Sequence, residues 1–133
     1  MVERLLLRHL APGKARDRLF DRAGALANFS ARIDLAYTLG LFSAATYGDL
    51  HVIRDIGNYF AHHVEAASFD ESPVRDWCDN FWMSRQRTES FKAPGESGRA
   101  RDQFNSSLVM TALDLERVQT MVQPAPQPPA QSE

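Results

Sequence analysis

Apolar residues recur at three- and four-residue spacing along most of the chain, and no run alternates with the period of two that a half-buried strand requires. Residues 2–10 read as a first helix, stopped by Ala11-Pro12-Gly13. From Leu26 onward Phe29, Ile33, Ala36, Tyr37 and Gly40 keep the helical spacing, which predicts about four turns with Gly40 as a stop or a close-packing point. Ser43 is placed to cap the next helix, which should run to about Glu65. Its apolar face would hold Leu50, Ile53, Ile56, Phe60, Ala61 and Val64, with Gly57 inside that face.

In "SFDESPVRDWCDNFW" a loop gives way to Ser72 as a cap and Pro73 at the first helical position. Val74, Trp77, Cys78, Phe81 and Trp82 then predict one strongly amphipathic helix with Cys78 on its core side. Residues 84–100 are polar, contain Pro94-Gly95 and show no sustained period, so a mobile connection is expected. A last helix from about Asp102 would place Phe104, Leu108, Ala112, Leu115, Val118 and Val122 on its buried side. The end, "QPAPQPPAQSE", is proline-rich and is expected to be a disordered tail over 123–133. The fold class expected is all-α, an irregular bundle of about five amphipathic helices forming a single domain over 1–122.

Composition agrees with that picture: 133 residues with 44% apolar and 24% charged side chains suit one soluble core. No segment approaches the ~20 apolar residues that span a bilayer, so no membrane role is expected. Glu3, Arg4, Arg8 and His9 break any signal-peptide core. A single cysteine excludes an internal disulfide, and a reducing, cytoplasmic location follows. Cys78 reads as packing, because a reactive thiol needs an electropositive, accessible setting.

Charge is unevenly distributed behind the net −2. Residues 1–22 carry six Lys/Arg against three acids and 85–101 carry five against two, whereas 23–84 carries three against eight. A protein holding duplex DNA by its backbone alone would show a larger basic excess. The two basic clusters remain the candidates for anion or nucleic-acid contact. They contribute Arg16, Arg18 and Arg22 from the first, and Arg85, Arg87, Arg99 and Arg101 from the second.

The run "HVIRDIGNYFAHH" holds three of the four histidines. His51, Asp55, Asn58 and His62 fall on one polar stripe, opposite the apolar face. His62 lies about 10 Å along the axis from Asp55, too far to share one zinc through bonds of ~2 Å. No second His or Cys pair completes a site, so neither metal nor cofactor is expected. His62 with Asn58 and Arg54 behind it resembles an acid–base pair with a phosphate-holding cation. No nucleophile elbow, phosphate-cradling glycine loop or paired carboxylates accompany it, and the chain does not read as an enzyme. Arg54, Asp55, Asn58 and His62 are the recognition residues of this helix on that reading.

The runs "FSARIDLAYTLGLFS", "DLHVIRDIGNYFAHH" and "SFDESPVRDWC", in this order, resemble the mannitol operon repressor family of bacterial transcription regulators. "PGKARDRLFDRAGALANFSARI" and "FNSSLVMTAL" are similar to it as well, so the likeness covers roughly residues 12–115. The resemblance implies a compact all-α protein of the bacterial cytoplasm that represses or modulates sugar-alcohol operons. It implies no helix-turn-helix, and a role through partners such as the phosphocarrier of the sugar phosphotransferase system.

Two departures stand out. Family members usually begin with a further helix, so this chain is expected to be shortened at its start. They also usually read Ile-Arg-Asn-x-Phe-Ala-His where this chain has Ile56-Gly57-Asn58-Tyr59-Phe60-Ala61-His62. The family pattern is similar to the Arg-and-His signature of HEPN-type helical domains, many of them RNases, and here Gly57 replaces that arginine unless Arg54 substitutes for it.

The expected function is therefore a transcription regulator acting chiefly through protein contacts. The alternative is a HEPN-like RNA-binding module or degenerate RNase, disfavoured by Gly57. The aromatic supply of Trp77, Phe81 and Trp82 predicts a homodimer. DNA binding by the isolated protein is expected to be weak, salt-sensitive or indirect.

Overall fold

A computed structural model describes residues 1–86 and 98–121. Among these residues the secondary structure is entirely helical: α1 Val2–His9, α2 Lys14–Phe20, α3 Phe29–Thr38, α4 Ala44–His62, α5 Val74–Cys78, α6 Trp82–Gln86 and α7 Arg99–Met121. The all-α expectation holds, with two more helices than the apolar period predicts. The chain groups into two compact units, Met1–Phe42 with Asp114–Glu133, and Ser43–Leu113.

In the first unit α1 packs on α3. Val2, Leu5 and Leu6, one helical stripe, are buried, as are Ile33 and Ala36 of α3. Side chains of this size contribute roughly 1.5–3 kcal/mol each when fully buried. Arg32 of α3 ties the pair together: Nη1 donates to Glu3 Oε2 of α1 at 2.8 Å and Nε to the Leu26 carbonyl at 2.7 Å, while the guanidinium lies over the Phe20 ring. The helix α2 was not predicted. It leaves no residue fully buried and so presents no apolar stripe to find. Its Arg16 nevertheless donates from Nη1 to the Leu7 carbonyl at 3.2 Å.

α3 starts later than the spacing from Leu26 suggests. The Asn28 side chain accepts from the Ala31 amide at 2.8 Å and sets the N-terminus there, leaving Leu26 buried outside the helix. Its end is the expected glycine stop. The Gly40 amide donates to the Tyr37 carbonyl and the Leu41 amide to that of Ala36, with Gly40 at φ +74° and Leu41 buried. This paired closure needs a left-handed residue. Gly24 has a different reason to be glycine: a Cβ there would meet the Arg18 carbonyl oxygen at 2.2 Å.

In the second unit α4 begins where Ser43 was expected to cap it, its Oγ accepting from the Thr46 amide at 3.3 Å. Ile56, Val74, Cys78, Phe81 and Ala100 form the buried centre, with Val52, Ile53, Tyr59, Phe60, Phe69, Trp77 and Phe104 packed around them. Three expectations need correction. Ala61 is exposed although it lies within α4, and α4 ends at His62, so Val64, beyond the helix, is 81% exposed. Gly57, expected inside that apolar face, is exposed too, and a Cβ there would meet nothing within 4 Å. The helix expected across residues 74–82 is two helices. Its turn lets Phe81 drop into the core, while Asp49 Oδ1 of α4 accepts from the Trp82 amide at 2.8 Å and starts α6.

The last correction concerns α7, which starts at Arg99 rather than near Asp102. Phe104 and Leu115 lie on the inner side as expected, but Leu108 is exposed. The buried positions are Ala100, Gln103, Ser107, Thr111, Leu115 and Gln119. Gln103 is accommodated because its Nε2 donates to Asp79 Oδ1 at 3.1 Å. Residues 84–86 and 99–100, at the edges of the expected mobile connection, are helical; residues 87–97, Val122 and the tail lie outside the described residues.

Candidate functional site

About three turns of α4 carry the histidine stripe, and the end of that helix opens into a cleft with α5. The cleft, about 230 Å³, is lined by Asp55, Asn58, Tyr59, His62, His63 and Trp77. The structure thus brings together three of the four recognition residues expected from sequence, Asp55, Asn58 and His62. Arg54, the fourth, is not among the lining residues. Its Nη2 and Nε both donate to Asp55 Oδ1, at 2.6 and 3.1 Å. His51 belongs elsewhere: its ring meets Tyr47 edge-on at 4.6 Å.

Tyr59, His63 and Trp77 were missed as site residues. The Tyr59 and His63 rings stack at 4.0 Å, and Trp77 meets Tyr59 edge to face at 5.7 Å. The first pair was legible, since four residues apart on a helix is one turn; His63 then lies at the cap. Nothing local joins Trp77 of α5 to them. His63 Nδ1 is 3.0 Å from the Tyr59 carbonyl oxygen. A carbonyl only accepts, so Nδ1 carries the hydrogen, and in the neutral ring Nε2 remains an acceptor.

Two aromatic rings at right angles give a concave apolar corner, and an amide, two imidazoles and a carboxylate give its polar rim. The Arg54 guanidinium, outside the lining, is bonded to the Asp55 carboxylate within it, so that pair is internally compensated. Among the described residues no group of three or more His, Cys, Asp or Glu is placed to hold a metal ion. Cys78 is buried, and burial first, then the Asp79 charge, pushes its thiol up to about 12, which suits its expected packing role.

The arginines expected to meet an anion are variously engaged. In the first unit Arg16 is half-buried on the Leu7 carbonyl, while Arg18 and Arg22 are exposed. In the second, Arg85 is exposed and lends its charge to Asp49, whose carboxyl is nevertheless raised by burial against the opposing Trp82 bond. Arg99 is half-buried, and the Arg101 guanidinium lies 5.5 Å over the Phe69 ring. Arg87 lies outside the described residues. Of the three aromatic residues from which a dimer was expected, Phe81 is buried, Trp77 lines the cleft, and Trp82 is exposed. No helix among the described residues is long and apolar enough to cross a membrane.

A sequence model of one family, described as the mannitol repressor, matches residues 11–125. No curated protein and no solved structure matches the chain.

Proposed function

Because the chain belongs to the mannitol repressor family, we propose that it is a bacterial cytoplasmic regulator of a sugar-alcohol operon that works chiefly through protein contacts. Membership supports the regulatory class. The protein-contact mechanism rests on one observation: the family-motif helix ends in an aromatic-walled cleft, lined by no arginine among the described residues, while Arg54 of the same helix is bonded to its own neighbour, Asp55. Such a cleft suits a side chain presented by a partner, since its apolar corner supplies burial and Asn58, His62 and His63 supply direction. The engagement of Arg16 and Arg101 within the chain favours the same mechanism over phosphate contact. The phosphocarrier of the sugar phosphotransferase system is one partner this reading admits.

The test is a repression assay in the native host with Asn58→Ala/His62→Ala, both exposed positions, backed by circular dichroism of the purified variant. Repression should weaken severalfold while helicity is unchanged. Full repression by the variant would remove the cleft from the mechanism. The rival reading, a HEPN-like RNase, predicts RNA cleavage by the purified chain that disappears in His62→Ala; we expect none.

A further inference from the structure

α7 departs from an ordinary surface helix in what it buries and what it exposes. It buries Gln103, Ser107, Thr111 and Gln119 and exposes Leu108, Val109, Met110 and Leu113 at 42, 56, 52 and 60%. A helix normally turns its apolar stripe inward, and an exposed one marks an interaction surface. At 100° per residue Asp102, Ser106, Val109, Met110, Leu113 and Arg117 fall on one stripe about 100° wide, and all six are exposed.

The stripe has an internal symmetry. Its apolar centre lies between Val109 and Met110, its acidic end is Asp102, and its basic end is Arg117. Each end stands at the same number of residues from the centre, the two separated by about 22 Å along the axis. Laid antiparallel on a second copy about a two-fold axis through that centre, Asp102 of each chain faces Arg117 of the other. The apolar residues meet in between, Val109 against Met110 and Ser106 against Leu113. A parallel arrangement would set Asp102 against Asp102 and Arg117 against Arg117, so the charges select one orientation. The Arg117 guanidinium lies 3.9 Å from Asp114, a long contact, and its side chain is 71% exposed, so it is sterically open to a new partner.

We infer that this face of α7 is the interface of a symmetric homodimer, two copies of α7 packing antiparallel across Val109, Met110 and Leu113. An isologous interface requires such self-complementarity, and small Ser106 beside Leu113 allows close approach. The inference is independent of the cleft and of the regulatory reading, and it places the dimer contact away from the aromatic helices α5 and α6 expected to supply it.

Sedimentation velocity of the full chain at tens of micromolar tests it. The chain should sediment as a dimer, and Leu113→Glu and Met110→Glu as monomers with unchanged helicity. Asp102→Arg alone and Arg117→Asp alone should each weaken dimerisation at least tenfold, and the two together should restore it to within a few-fold. A monomeric wild-type chain would overturn the inference, as would a dimer indifferent to Leu113→Glu. Failure of the charge exchange to restore pairing would overturn the antiparallel arrangement, whereas a monomeric wild-type chain would point to another occupant of this face.

Discussion

Gly57 stands in α4 between buried Ile56 and the cleft residue Asn58, yet nothing approaches the place where its side chain would be. Its cost is therefore purely conformational. Gly57→Ala should stabilise the protein by up to ~1 kcal/mol, visible as a raised Tm. A lowered Tm would mean that a neighbour does pack there. Cys78 gives the opposite case, a side chain defined wholly by its surroundings. An unfolded thiol ionises near ~8.5, whereas in the folded chain burial raises it to about 12. The folded state therefore holds its proton where the unfolded state releases it. The contribution is fully present below the unfolded value and is lost as pH rises toward the folded one, by up to ~1.4 kcal/mol per pH unit. Urea midpoints measured from pH 7 to 10 should fall more steeply for the parent than for Cys78→Ala. Equal slopes would show that the thiol is not the group responsible.

Among the elements, the helix ends divide by where their caps lie. Ser43 and Asn28 cap α4 and α3 from the adjacent residue, and Gly40 closes α3 from just beyond it. Local chemistry of this kind is legible along the chain: the Ser43 cap and the Gly40 stop were both read from it. Gly40→Ala should destabilise the protein by roughly 1–2 kcal/mol, because an L residue resists the left-handed conformation that the double closure demands. Its sign is opposite to that of Gly57→Ala, so chemical denaturation of the two variants side by side checks both. The break between α5 and α6 is of another kind. Its cap, Asp49, lies 33 residues away on α4, and no spacing rule applied to "VRDWCDNFW" reveals it. The face of α7 was misread for a related reason. Apolar content pointed to Leu108, but small and hydrogen-bonded polar side chains occupy the buried side.

For the whole molecule the charge pattern decides what nucleic acid can do. The net charge is −2, and two of the arginines from the basic clusters are engaged in contacts within the chain. Any DNA binding should therefore be electrostatic and poorly specific. If it proceeds through ~6 phosphates, affinity should drop about a thousandfold between 50 and 200 mM salt. A gel shift in physiological salt with competitor DNA checks this, and nanomolar affinity for one operator would show a reading surface that these helices do not suggest.

Sequence alone determined the helical class, the helices α1, α3 and α4, the buried thiol and the polar stripe of α4. Each depends on periodicity or on a residue's immediate neighbours, and the covalent chain preserves both. Only the tertiary structure decided that Asp55, Asn58 and His62 share a cleft with Tyr59, His63 and Trp77. It alone decided, too, that Arg54 is held by Asp55 and that α7 buries Gln103, Ser107, Thr111 and Gln119 while exposing Leu108, Val109, Met110 and Leu113. A helix wheel ranks faces by hydrophobicity, but which face is buried depends on what another element brings to it. Asp79 gives Gln103 a hydrogen-bond partner from 24 residues away, and that pairing outweighs a rule based on the helix by itself.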